Sequence, residues 1–246
     1  MCRLLAYLGP TVTLEELLVT PPHSLLRQCW APRSQVSGVV NADGFGVGWY
    51  DHRRRPEPAR YRSTLPMWAD RSFASLAGLV SSTAVLAAVR SATPPLPTEE
   101  SGTPPFTAGP WLFAHNGAVT GFRDGAGARL RRLLSERREA AIEGSSDSEL
   151  LFALTLDELD AGARPAEALS TVVATVSAKA GGTLNLVLTD GSSIWATACG
   201  DSMVVRTTPD SVFVASEPFD DGTDWKAIPD GAVISAVAGQ VDSSPR

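Results

Sequence analysis

Short apolar runs, each closed by Gly, Asp or Pro, recur along the chain. The first, Cys2-Arg3-Leu4-Leu5-Ala6-Tyr7, reads as a buried strand. Runs of this kind, β-branched or aromatic, predict strands over residues 2–7, 45–50, 84–89, 111–115, 183–189, 193–197, 203–207, 212–215 and 233–237. Asp190-Gly191, between two of them, predicts a tight hairpin. Longer segments predict helices over 14–18, 73–79, 126–138, 147–159 and 166–179. The fourth has Leu150, Leu151, Leu154 and Leu159 near helical spacing. Ser146-Asp147-Ser148-Glu149 in front of it has the form of a capping box. Pro165 and Glu167 suit the first turn of the fifth.

Two groups of strands, helices between them and several hairpins predict an α+β layered fold, not a doubly wound parallel sheet. There is no internal repeat and no heptad seam, and one domain is expected over 1–246. Pro94, Pro95, Pro97, Pro104, Pro105 and Pro110 predict a surface loop over 92–110. Arg53-Arg54-Arg55 reads as a solvated loop, and the tail after Gly239 is expected to fray. Gly44-Phe45-Gly46-Val47-Gly48 lacks the Lys-Ser/Thr of a phosphate loop, and no helix pattern follows it. Its glycines are read as letting backbone approach closely within a sheet.

Composition narrows the function classes. Hydrophobic residues make up 43% and charged residues 20%, which excludes wholesale disorder. With 21 Lys+Arg against 27 Asp+Glu, the net charge is 21 − 27 = −6, which argues against general nucleic-acid binding. No apolar run reaches the roughly 18 residues of a membrane span, so a cytoplasmic protein without a membrane partner is expected. Cys2, Cys29 and Cys199 are too few and too scattered for a disulfide framework or a zinc site. His23, His52 and His115 form no metal-ligand spacing, and no cofactor is expected.

Cys2 is the residue with unusual chemistry. A lone cysteine is ordinarily an inert core residue. Once Met1 is removed, however, Cys2 carries a thiol and a free α-amine on one residue. The amine has a reference pKa of about 7.7–8.0, so much of it is neutral near pH 7.5. It can serve as general base for its own thiol, directly or through one water. The thiol then attacks a carbonyl and a thioester forms, without help from a histidine.

Three segments follow Met1-Cys2 in order. They are Ala87-Ala88-Val89-Arg90-Ser91-Ala92-Thr93-Pro94, Phe113-Ala114-His115-Asn116-Gly117 and Gly144-Ser145-Ser146-Asp147-Ser148-Glu149. Together they resemble the glutamine-amidotransferase domain of class II, whose members are N-terminal nucleophile hydrolases with a four-layer αββα sandwich. Met1 to Pro10, Pro21 to Gln28, Asn41 to Tyr50 and Ala215-Ser216-Glu217-Pro218 with Trp225 are further similar to the γ-glutamyl hydrolases of ergothioneine biosynthesis. The likeness runs from Met1 to about Val237. It implies hydrolysis of the γ-glutamyl amide in γ-glutamyl-hercynylcysteine sulfoxide, releasing glutamate and hercynylcysteine sulfoxide. The implied partner is this small-molecule amide, with no metal or organic cofactor.

The resemblance also implies roles. Cys2 is the nucleophile. The Asn116 amide and the Gly117 backbone N–H hold the oxyanion, Arg90 binds the substrate α-carboxylate and Asp147 its α-ammonium. Thr93 lines the glutamyl pocket. Each residue also has an ordinary reading. Arg90 could make a surface ion pair, Asn116-Gly117 a hairpin turn and Asp147 a first-turn helix acid. Glu149 reads as a capping residue and His115 as a packed neighbour. Asn41 and Asp43 either contact the glutamyl group or shape a turn. Cys29 and Cys199 read as structural thiols. One of the tryptophans could face a trimethylammonium group, though the sequence does not assign which. Two competing functions keep the same pocket: a glutaminase subunit supplying ammonia to a separate synthase, and a non-catalytic γ-glutamyl-binding module.

Overall fold

A strand with water on one face alternates polar and apolar side chains, whereas one buried on both faces reads as a continuous apolar run. The runs in this chain are of the second kind, and the computed structural model shows why. It describes residues 2–35, 38, 40–92 and 99–245. Thirteen strands are present among them: β1 (Arg3–Thr13), β2 (Phe45–Trp49), β3 (Ala59–Ser63), β4 (Ser81–Val89), β5 (Phe106–Ala108), β6 (Trp111–Val119), β7 (Gly182–Thr189), β8 (Ile194–Thr197), β9 (Val204–Thr207), β10 (Val212–Ala215), β11 (Lys226–Ala227), β12 (Ala232–Val237) and β13 (Gln240–Pro245). They form two antiparallel sheets, ordered β11-β9-β10-β1-β4-β2-β3 and β13-β12-β8-β7-β6-β5.

The two sheets stack. Leu4, Ala6 and Leu8 of β1 and Leu86 and Ala88 of β4 meet Leu112 and Ala114 of β6 and Val187 of β7 between them. The alternate residues face outward into helices. Leu5 and Tyr7 pack with α1 (Leu14–Leu18), α2 (Leu25–Gln28) and α3 (Arg71–Ala77). On the far side lie α4 (Gly127–Arg131), α5 (Glu136–Ala140), α6 (Asp147–Asp160) and α7 (Pro165–Lys179). There Phe113, Leu184, Leu186 and Leu188 pack against Leu150, Leu151, Val172 and Val176. The order is helix, sheet, sheet, helix: the expected α+β αββα sandwich.

The glycines of β2 set the spacing between layers. A Cβ on Gly46 would stand 2.3 Å from the Pro104 carbonyl oxygen, and one on Gly48 would stand 2.6 Å from Leu112 Cδ1. Both contacts are far below van der Waals distance; the first is with backbone, which leaves no room for a Cβ, and the second is with the end of a leucine side chain, which would have to turn aside. The hairpin at Asp190-Gly191 is present, with Gly191 at φ +84° and Asp190 Oδ1 accepting from the Ser192 and Ser193 N–H groups at 2.8 Å each.

Several expectations are corrected. Asn116-Gly117 is no turn: it lies inside β6, paired with Asn185 and Leu184 of β7. The segment 92–110 is not wholly a surface loop, since Thr103, Pro104, Pro105 and Phe106 are buried and β5 forms a sheet edge. The helix expected over 126–138 is split into α4 and α5. Ser135 caps α5 and is itself held by Asp157, whose carboxylate accepts from its N–H at 2.8 Å and its hydroxyl at 2.6 Å. The chain end after Gly239 pairs with β12 as β13. No helix of the described residues is long and apolar enough to cross a membrane.

Candidate active site

Strand pairing assembles the site. Arg3 of β1 stands opposite Val89 of β4, so Cys2 and Arg90, one residue beyond each partner, emerge at the same end of the first sheet. Cys2 has the parity of Leu4 and Ala6, and Asn116 that of Leu112 and Ala114. By the period-two rule both belong to the layer between the sheets. The second sheet brings Gly117 on β6, and α6 brings Asp147 as its first residue. Cys2, Arg90, Gly102, Pro104, Gly117 and Asp147 line one pocket.

The two charged walls are well anchored. Arg90 is 4% exposed and Asp147 8%. The Arg90 N–H donates to the Gly44 carbonyl at 2.8 Å, which extends the β2–β4 pairing past its end. Asp147 Oδ2 accepts from the Val119 N–H at 2.9 Å, and its Oδ1 from the Ser148 N–H at 2.8 Å. These bonds occupy only part of the roughly four acceptor positions of a carboxylate, so room remains for a further donor. A cation and an anion on one small pocket complement a ligand that carries a carboxylate and an ammonium on one carbon.

Gly117 has φ +151°, and a Cβ there would stand 1.9 Å from the Thr183 carbonyl oxygen and 2.7 Å from His115 Nε2. Glycine is therefore required at this point of the pocket wall. Asn116 is fully buried, and its Nδ2 donates to Asp201 Oδ2 at 2.9 Å. A primary amide has a second N–H to offer. His115 is the packed neighbour that was expected. Its Nε2 meets the Thr183 carbonyl at 2.9 Å and its Nδ1 the Ser148 hydroxyl at 2.9 Å. A carbonyl only accepts, so Nε2 carries a proton.

Other candidates have structural duties. Asp43 Oδ2 accepts from the Ala92 N–H at 2.7 Å, and its own N–H donates to the Arg90 carbonyl at 3.0 Å, so Asp43 fixes the strand that carries Arg90. Asn41 is fully buried and donates from Nδ2 to the Gln28 carbonyl at 2.9 Å, tying its loop to α2. Ser146 caps α6 through Oγ. Glu149 does not return the bond as a capping box requires. Its carboxylate takes the Glu143 and Gly144 N–H groups, each at 2.7 Å. Cys29 is buried, and burial pushes its thiol up to about 12. Cys199 is partly exposed. Thr93 lies outside the described residues, as does Met1.

A charged network beside Cys2 escapes sequence reading. Arg3 and Asp201 have no exposed side-chain surface and pair at 3.0 Å, with Glu217 at 3.8 Å from the other guanidinium nitrogen. The available signal was Arg3 itself, since a charge inside a buried apolar run must find a partner.

The chain has known relatives. The family model of class-II glutamine amidotransferases matches residues 1–211. A γ-glutamyl-hercynylcysteine sulfoxide hydrolase of Mycolicibacterium smegmatis is 38% identical over 245 residues, covering 100% of both chains. A glutamine aminotransferase class-II domain protein from Silicibacter pomeroyi superposes with a TM-score of 0.73 at 27% identity, covering 99% of each chain. Glutamine phosphoribosylpyrophosphate amidotransferase from B. subtilis shares the fold, with a TM-score of 0.68 at 14% identity over 99% of this chain and 49% of that one.

Proposed function

The chain belongs to the class II glutamine amidotransferase family, and from that premise we propose that it hydrolyses the γ-glutamyl amide of γ-glutamyl-hercynylcysteine sulfoxide. One observation carries the reading: Cys2, Arg90 and Asp147 line a single pocket, so a nucleophile stands with the two charges that complement a glutamyl group. In this reading Arg90 takes the α-carboxylate through its guanidinium fork. Asp147 takes the α-ammonium. The γ-carbonyl carbon is then presented to the Cys2 thiol.

With Met1 removed, the Cys2 α-amine withdraws the thiol proton as sulfur attacks. Negative charge develops on the carbonyl oxygen. The second N–H of Asn116 and the backbone N–H of Gly117 receive it, donors of the kind worth about 3–4 kcal/mol in a transition state. The C–N bond breaks, and the leaving amine takes the proton from the α-amine. Water then attacks the thioester, freeing glutamate and restoring the thiol. Each step is a proton or acyl transfer and needs no group beyond these side chains and water.

The test compares substrates by mass spectrometry, using mature protein of confirmed mass and its Cys2→Ala variant. Glutamate released mainly from the sulfoxide, and only by the wild type, is the expected result. Release mainly from glutamine would move the function to ammonia supply for a separate synthase. Full turnover by Cys2→Ala would refute the thioester.

A further inference from the structure

We infer that Asp201 is a positioning residue that holds the Asn116 amide in the one orientation useful for catalysis, and that Arg3 holds Asp201. The inference rests on the placing of Asn116 at the oxyanion in the proposed reaction.

Asn116 has two amide orientations, related by a half-turn, that differ only in where the oxygen and the nitrogen point. Its Oδ1 is buried without a hydrogen-bond partner among the described residues, so the oxygen does not choose between them. Nδ2 does choose, because it donates to Asp201 Oδ2 at 2.9 Å. An ionised carboxylate only accepts. Turned over, the amide would set its oxygen against a carboxylate oxygen, with no water to screen them. The side chains of Arg3 and Asp201 are fully withdrawn from solvent, and so is Asn116. In such a setting an unmatched pair of acceptors is costly. Asp201 therefore fixes the direction of the remaining Asn116 N–H.

The carboxylate is fixed in turn. Its Oδ1 accepts from the Ser202 N–H at 2.8 Å, and its Oδ2 also accepts from Arg3 Nη2 at 3.0 Å. Asn185, facing Asn116 across the β6–β7 pairing, holds the Asp201 carbonyl from Nδ2 at 3.0 Å. Arg3 closes the circuit by donating from Nε to the carbonyl of Cys2 at 2.9 Å. One guanidinium thus ties the main chain of the nucleophile to the carboxylate that orients the amide. The two halves of the site come from different sheets, and this buried pair joins them.

The test is a kinetic cycle on the mature enzyme with the γ-glutamyl substrate it turns over best. Asp201→Asn replaces a pure acceptor with a group that can accept or donate, so both orientations of Asn116 become allowed. The expected result is a kcat lower by about ten- to a hundredfold with KM nearly unchanged, a smaller loss than the roughly 10²–10³-fold for deleting an oxyanion donor. In the Asn116→Ala background, Asp201→Asn should lower kcat no further. A merely structural residue would add its loss in both backgrounds, and that additivity would overturn the inference. So would wild-type kcat in the Asp201→Asn single variant. Should Asp201→Asn fail to fold although Glu217 remains beside Arg3, the Arg3→Met/Asp201→Asn pair enters the same cycle. If Asn116→Ala alone keeps full turnover, the oxyanion assignment falls first, and that outcome is distinct from a failure of Asp201.

Discussion

Arg90 and Asp147 present opposite charges to one pocket, and the proposed clamp makes each separately testable. A lysine at 90 keeps the charge but loses the planar fork. An asparagine at 147 keeps an acceptor but loses the charge. Hydrogen bonds to charged groups are worth about 1.5–3 kcal/mol, so Arg90→Lys and Asp147→Asn should each lower kcat/KM by about ten- to a hundredfold, mainly through KM. Unchanged KM in both would remove the clamp. Thiol labelling gives a second test. Cys2 and Cys199 are partly exposed, while Cys29 is buried with its thiol pushed up to about 12. A thiol reagent at neutral pH should add two labels to the native wild type, one to Cys2→Ala, and reach Cys29 only after denaturation. Early labelling of Cys29 would contradict its burial. Cys2 stood out in the sequence by its own chemistry, whereas Arg90, Asn116, Gly117 and Asp147 were singled out only through the family resemblance, since each alone has an ordinary reading. Asp201 was not, since Gly200-Asp201-Ser202 reads as an ordinary turn. Its value comes from Arg3, 198 positions away.

Elements were legible where burial is two-sided. The apolar runs of β1, β4, β7 and β10 appear at or near their true positions. The strands that went unread, β3, β5, β11 and β13, are short or polar and lie at sheet edges or next to them. Arg60 and Arg62 in β3 break the apolar pattern that marks a strand. The hairpin turn that is the ordinary reading of Asn116-Gly117 is absent for a different reason. Locally the pair has turn chemistry, but its β7 partners arrive more than sixty residues later and keep it extended. Gly44-Phe45-Gly46-Val47-Gly48 was read as sheet, and β2 is there, but the tightest approaches of Gly46 and Gly48 are to Pro104 and Leu112, outside that sheet, which yields a prediction for β2. An alanine at 46 drives a methyl against the Pro104 carbonyl, which is backbone and cannot swing aside. Overpacking of this kind costs about 1–3 kcal/mol, so Gly46→Ala should lower the urea midpoint accordingly. Activity should fall with it, because Pro104 lines the site. An unchanged midpoint would show that the Pro104 segment can move aside at no cost.

Across the whole molecule, several acidic groups are harder to ionise than in an unfolded chain. Burial, then Asp210, pushes Tyr7 up to about 12; burial, then its bond to Asp70, does the same for Tyr61. Cys29 stands near 12, and burial raises Tyr50 further still. A raised folded pKa gives stability that is whole below the unfolded value and is lost as pH climbs to the folded one. The unfolded values are about 8.5 for Cys and about 10 for Tyr. These groups should therefore leave stability level to about pH 8.5 and then make it fall continuously towards pH 12. Urea midpoints across that range would check this, and a midpoint still level at pH 12 would contradict it. The strand order has a temporal consequence as well. β1 lies between β4 and β10, with Leu5 opposite both Ala87 and Ala215. During synthesis one edge of that strand has no neighbour until nearly the whole chain has been made. Pairings this distant are slow to form. A growing chain therefore carries Cys2 on a sheet that stays unfinished until a strand more than two hundred residues downstream docks.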